Sequence, residues 1–134
     1  MQSGNVIATS DLRQDEIERL VHDVIRDNFG GDIAVIARTA EQFRKIVEKS
    51  PFTDADNSKV YFTLMHEQPE RARLNQFMAT DFAPEQIHIV NDTIYTLYAT
   101  KYSDSKFNNN WFERQLKVTA TTRNFNTMTR LAGY

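Results

Sequence analysis

The chain has 134 residues, 40% hydrophobic and 25% charged, with a formal net charge of −2. That length fits a single domain with an ordinary core, and the balance excludes both the signature of disorder and any global attraction for nucleic acid or an anionic membrane. The absence of cysteine rules out disulfide scaffolds, thiolate zinc sites and cysteine nucleophiles.

At the start, Gln2-Ser3-Gly4-Asn5 reads as a turn leading into a strand at residues 6–9. No basic n-region precedes Val6-Ile7-Ala8, and nowhere does the chain approach the roughly 18 apolar residues of a membrane span, so a cytoplasmic location is expected. Asp11 with Gln14 forms a capping-box pattern, and Ile17, Leu20, Val21, Val24 and Ile25 recur at helical spacing up to a Gly30-Gly31 stop. Residues 32–38 read as a strand. Thr39 with Gln42 caps a second helix, with Phe43, Ile46 and Val47 as its apolar stripe and Ser50-Pro51 as its end. A polar loop follows, then a β-branched and aromatic strand at residues 59–66. Pro69 fits the first turn of a short helix bearing Leu74, Phe77 and Met78. Residues 86–90 and 93–99 flank Asn91-Asp92, which predicts a β-hairpin. After a polar loop at residues 100–105, Phe107, Trp111, Phe112 and Leu116 predict a helix. Thr122 is placed to cap a last short helix carrying Phe125, Met128 and Ala132. The whole predicts one α+β domain over residues 1–134, a mixed or antiparallel sheet with helices on one face and two short C-terminal helices.

Few residue patterns carry chemistry. His22, His66 and His88 have no metal-binding spacing, and Asp54-Ala55-Asp56-Asn57 lacks the glycine and distal glutamate of a calcium loop. No phosphate-binding glycine motif or nucleophile elbow is present, and Ser3 has no base nearby in sequence. No cofactor is implied. Tyr61, Tyr95 and Tyr98 invite a single-stranded RNA reading, but alternation prevents all three from sharing one face with their neighbours, and the charge balance makes nucleic acid an unfavoured partner. The unusual stretch is residues 103–130. Ser105, Lys106, Asn109 and Asn110 precede or open one predicted helix, and Thr122, Arg123, Asn124 and Asn126 open the next. Asn, Ser and Thr are good caps and poor mid-helix residues, so one reading is two generously capped helices. The other is a cradle for an anionic or phosphate-bearing small molecule, with Lys106 and Arg123 supplying the charge and Glu113 as an internal counter-charge. An enzyme of small metabolites built on the same cluster is the alternative, with Asp104 and Glu113 as the candidate bases.

At these residues the sequence resembles a known family. Gln2-Ser3-Gly4-Asn5-Val6, Ser105-Lys106-Phe107-Asn108-Asn109, Trp111-Phe112-Glu113 and residues 119–127 resemble the motifs of the bacterial domain-of-unknown-function family 1697. The resemblance implies an α+β fold with ferredoxin-like elements, and no reaction, cofactor or catalytic residue. It also implies that the chain corresponds to the family's C-terminal two-thirds, without an upstream glycine-containing segment and strand–helix unit. Residues 100–104 lack the glycines common before Ser-Lys in the family. A bare sheet edge where that segment docks predicts self-association, with residues 5–9 as the edge.

Overall fold

The computed structural model describes residues 12–29, 35–52 and 54–133, without the side chains of residues 28 and 29. The chain divides into two compact units, Met1–Arg38 and Thr39–Tyr134.

In the first unit, helix α1 spans Gln14–Phe29, with Asp15 and Glu16 in its first turn and Arg26 in its last, the arrangement its dipole favours. The predicted stripe is present: Ile17, Val21 and Ile25 are half-buried, while Leu20 and Val24 remain exposed. The strand expected at residues 32–38 is not found over residues 35–38, which have no strand assignment. The Ala37 N–H points to the Glu18 carboxylate at 3.3 Å rather than to a neighbouring strand, and the Arg38 guanidinium lies 3.7 Å from the same carboxylate. The predicted strand at residues 6–9, the Asp11 cap, Gly30-Gly31, Ser3 and the proposed sheet edge lie outside the described residues.

The second unit opens with helix α2, Ala40–Glu48, and its start follows from the sequence. Thr39 Oγ1 accepts the Gln42 N–H at 3.1 Å, and the Gln42 side chain accepts the Thr39 N–H at 2.9 Å. Strand β1, Val60–Met65, follows a 3-10 turn at Asn57–Lys59. Helix α3, Arg71–Met78, has Glu70 as its N-cap residue, so Pro69 precedes the cap instead of entering the first turn. Strands β2, Gln86–Val90, and β3, Thr93–Leu97, form the expected hairpin, with Val90 opposite Thr93. Its two-residue loop needs a left-handed residue, and Asn91 supplies it at φ 56°.

Helix α4, Asn109–Leu116, begins at the Asn108 cap, whose side chain accepts the Trp111 N–H at 3.0 Å. It ends at Lys117, left-handed at φ 54°. The reading then needs correction: Thr122 does not cap a helix. Residues Ala120–Asn124 form strand β4, and Asn124 caps helix α5, Phe125–Leu131, by accepting the Thr127 N–H at 2.8 Å. The physical reason is that Thr serves strands and caps alike, and here the β1 edge accepts the Thr-rich run as a ladder partner.

The sheet is fully antiparallel, ordered β2-β3-β1-β4. Helices flank both faces rather than one. The cause is that β1 and β3 are apolar on both sides, the pattern of strands buried twice over. On one face Met65, Ile87, Ile94 and Ala120 join Phe77 of α3 and Phe112 and Leu116 of α4 in the main core. On the other, Phe62 meets Tyr95 and Phe125 at 5.5 and 6.4 Å between ring centroids, and the Tyr95 hydroxyl donates to the Ile46 carbonyl of α2 at 2.7 Å. Arg44 Nε donates to the Ala132 carbonyl at 2.7 Å, tying α2 to the end of α5. Trp111, expected in the core, is half-buried. It is one residue off the Phe112–Leu116 line that faces the sheet, and packs among Phe77, Phe82 and Phe107. No helix among the described residues is long and apolar enough to cross a membrane.

Candidate functional site

Alternation along β4 separates the expected site residues. Ala120, Thr122 and Asn124 point to the α4 side of the sheet, and Thr121 and Arg123 to the other. On the α4 side, Thr122 Oγ1 donates to Asn109 Oδ1 at 2.9 Å. Its proton thus used, it accepts from the buried Thr63 hydroxyl at 2.8 Å. The Asn109 amide nitrogen donates to the Ala120 carbonyl at 3.0 Å and to Glu113 Oε1 at 3.3 Å, and the Ala120 N–H donates to Glu113 Oε2 at 3.0 Å. One closed network therefore clamps the start of β4 to the first turns of α4. Glu113, expected as a counter-charge between Lys106 and Arg123, instead holds Asn109 and the backbone of Ala120.

Arg123 lies apart from that network. Its Nη1 folds back on the Thr121 hydroxyl and donates to the Thr122 carbonyl at 3.0 Å, and burial lowers the guanidinium pKa below its ordinary value without discharging it. Lys106 is exposed with its ammonium 5.1 Å from the Phe107 ring centroid. Ser105 Oγ accepts the Phe107 N–H at 3.1 Å, Asn110 is exposed, and the Asn126 carbonyl accepts from Thr129 Oγ1 at 2.9 Å. Of the predicted set, the structure joins Asn109 to Thr122, and it sends Arg123 to the opposite face of the strand. The helix starts are engaged by protein atoms as well: the Asn109 N–H donates to the Tyr102 hydroxyl at 3.0 Å, beside the Asn108 and Asn124 caps.

Tyr102 leads to a region that the sequence reading left as a connector. A hollow of about 560 Å³ lies where the start of β1 meets the segment after β3, lined by Ser58, Lys59, Tyr61, Ala99, Thr100, Lys101, Tyr102 and Ser103. The pairing of Val60 with Leu97 and the 2.9 Å bond from the Tyr98 N–H to the Lys59 carbonyl bring the two lysines to one end of the sheet. A 3-10 turn, Tyr102–Asp104, aims Tyr102 back over Tyr61: the rings stack at 4.8 Å and 16°. Tyr98 stands edge-on to both at 5.2 Å, and its own hydroxyl donates to the Phe107 carbonyl.

Polar groups around the hollow divide into engaged and unengaged. Ser58 donates through Oγ and N to Asp56 Oδ1, at 2.8 and 3.0 Å, and these bonds, with Lys59 nearby, hold the Asp56 carboxyl below its ordinary pKa. The Thr100 hydroxyl faces buried Glu85 at 3.4 Å. Lys59, Lys101 and Ser103 make no side-chain hydrogen bond or ion pair among the described residues. Two ammonium groups and a hydroxyl beside an aromatic wall are suited to holding an anion next to a flat or apolar group. The sequence carries no local signal for this site, because Lys59 and Lys101 meet only through the β1–β3 pairing.

The tyrosines named for RNA stacking are distributed differently from that reading. Tyr95 and Tyr98 are buried on opposite faces of the sheet, and only Tyr61 is part-exposed. No group of three or more His, Cys, Asp or Glu side chains placed to hold a metal ion occurs among the described residues.

An antiparallel sheet with helices on both faces and a lysine–tyrosine hollow at one end make the second unit an α+β fold with a candidate small-molecule site among the described residues. The chain belongs to the family described as protein of unknown function (DUF1697), whose model matches residues 1–95. That match takes in Ser58, Lys59 and Tyr61 of the hollow and stops before Lys101, Tyr102 and the Asn109–Thr122 network. No curated protein and no solved structure matches the chain.

Proposed function

We propose that the protein is a cytoplasmic binding module for an anionic small molecule, and that the molecule sits in the hollow between Lys59 and Lys101. The observation that carries this reading is the pair of lysines on a concave surface without an ion-pair partner among the described residues, while Asn109 and Thr122 nearby satisfy one another. The hollow's volume falls within the span of small-molecule sites, roughly 300–1,000 Å³. Asp56 near Lys59 tempers the positive field, and affinity falls with salt. The lack of cysteine fits a reducing compartment.

The segments expected from sequence support the site at one remove: Asn109 holds the Tyr102 hydroxyl, and Ser105 shapes the turn that follows. Self-association through a sheet edge is proposed alongside. Among the described residues β2 and β4 each have a ladder partner on one side only, and a monomer by light scattering at high concentration contradicts it.

The test is an NMR titration of the intact chain with two phosphate monoesters, ribose 5-phosphate and AMP. Amides of Ser58, Lys59, Thr100, Lys101 and Ser103 are expected to move, with weaker binding in Lys59→Ala and Lys101→Ala. If neither ester moves those amides, the reading is wrong.

A further inference from the structure

The hollow has two unlike walls, and its aromatic wall is more specific than an anion alone requires. A phosphate group occupies a small part of about 560 Å³, so the hollow has room for a second moiety attached to it. The surface offered to that moiety is the part of the Tyr61–Tyr102 stack left uncovered, since the two rings, parallel to within 16° at 4.8 Å, already cover each other's facing sides.

This pair is held in place from several directions. Tyr98 braces both rings edge-on, and its hydroxyl is bound by the Phe107 carbonyl. The Tyr102 hydroxyl is fixed by the Asn109 N–H, and Asn109 is in turn held by Thr122, Glu113 and the Ala120 carbonyl. Tyr61 is a β1 residue whose backbone pairs with Thr96 on one side and Asn124 on the other. Both rings line the hollow and both are only half-buried. A fixed aromatic wall loses little conformational freedom when a third ring is added to it, and offset or edge-on ring contacts then contribute beyond simple area burial. Lys59 and Lys101, on the same hollow, supply the charge for an anionic group attached to that ring.

We infer that the ligand is an anionic compound carrying a flat aromatic ring and of mononucleotide size, with its ring against Tyr61 and Tyr102 and its anionic group toward Lys59 and Lys101. The inference rests on the anion-binding reading above and narrows its ligand class. It also assigns the Asn109–Thr122 network a role at the site: through the Tyr102 hydroxyl it positions an aromatic wall that the ligand touches.

The experiment compares AMP, ribose 5-phosphate and adenosine by calorimetry on the whole chain. Stacking of one base on an aromatic side chain predicts that AMP binds about tenfold tighter than ribose 5-phosphate. Adenosine is expected to bind more weakly than AMP, with an affinity indifferent to salt. Tyr102→Phe retains the preference for AMP, because the ring remains, whereas Tyr102→Leu reduces the AMP to ribose 5-phosphate ratio to within about twofold, as expected when the stacking contribution is removed. A measurement on wild type alone guards against a variant that fails to fold: the adenine protons of bound AMP shift upfield in the field of the tyrosine rings. Equal affinity for the two esters, or no upfield shift, overturns the aromatic-ring inference and leaves the anion reading standing. If neither ester binds, both fall.

Discussion

Two polar regions meet at Tyr102 and differ in what their side chains still have to offer. Toward α4 and β4, Thr63, Thr122, Asn109 and Glu113 pass hydrogen bonds from one to the next and close on the backbone of Ala120. Toward the end of the sheet, Lys59 and Lys101 line a hollow and form no ion pair among the described residues. The first region is richer in the residue types that attract notice in a sequence. The second retains side-chain donors that no described residue engages. A dense run of Asn and Thr is therefore a weak marker of a site, because those residues satisfy each other; unspent donors on a concave surface are a stronger one.

This contrast is open to several tests. The largest effect is expected at alkaline pH, where the buried phenols of Tyr95 and Tyr98 are challenged. Burial, with the Asp92 carboxylate adding to it, pushes Tyr95 from 10.0 up to about 12, and burial pushes Tyr98 up further. Both phenols are thus neutral in the fold and ionise more readily in the unfolded chain. Their contribution is intact below about pH 10 and lost as pH rises through the folded values. Circular dichroism against pH should show unfolding in that window. Tyr95→Phe should make the loss shallower, and an unchanged profile contradicts the assignment.

Next comes the network itself. Asn109→Ala strips partners from the Thr122 hydroxyl, the Ala120 carbonyl and Glu113, and should cost about 3 kcal/mol in urea unfolding, since each unsatisfied buried group costs roughly 1–3 kcal/mol. Thr122→Val, which removes the bonds to Asn109 and Thr63, should cost about 1–2 kcal/mol. If both variants lose less than about 0.5 kcal/mol, the level of an ordinary surface substitution, the network is not structural.

Thr96 provides an internal control. Its hydroxyl is fully buried without a hydrogen-bond partner, although it lies close enough to the Tyr98 phenol to moderate that group's raised pKa. Thr96→Val keeps the shape and removes an orphaned polar atom, so stability should stay level or rise by up to about 1 kcal/mol. A loss above 1 kcal/mol would show that the hydroxyl is in fact satisfied. The smallest effect on stability belongs to the hollow: Lys59→Ala and Lys101→Ala should change unfolding free energy by less than about 0.5 kcal/mol.

Much of this fold was legible in the sequence, for reasons that differ by element. The start of α2 was readable because Thr39 and Gln42 act locally, within one turn. The hairpin was readable because Asn91 tolerates the left-handed backbone its loop demands. The strand at residues 120–124 was not, because β4 is only part-buried and shows no clean apolar alternation. The turn before it is also unmarked, since Lys117 takes a left-handed conformation where Gly or Asn gives the usual signal. Once β4 was read as a helix start, Thr122 and Arg123 appeared to share a cap, whereas a strand sends them to opposite faces. The hollow was hidden for another reason. Lys59 and Lys101 are 42 positions apart in the chain, and only the β1–β3 register brings them together.

We propose that binding capacity lies in the hollow and not in the Asn–Thr network. The most direct test is a chemical-shift map of the whole chain titrated with AMP. The amides of Ser58, Lys59, Thr100, Lys101 and Ser103 should shift together and saturate, while those of Thr63, Glu113 and Thr122 stay in place. Saturable shifts at Thr63, Glu113 and Thr122, with the hollow unmoved, would contradict it.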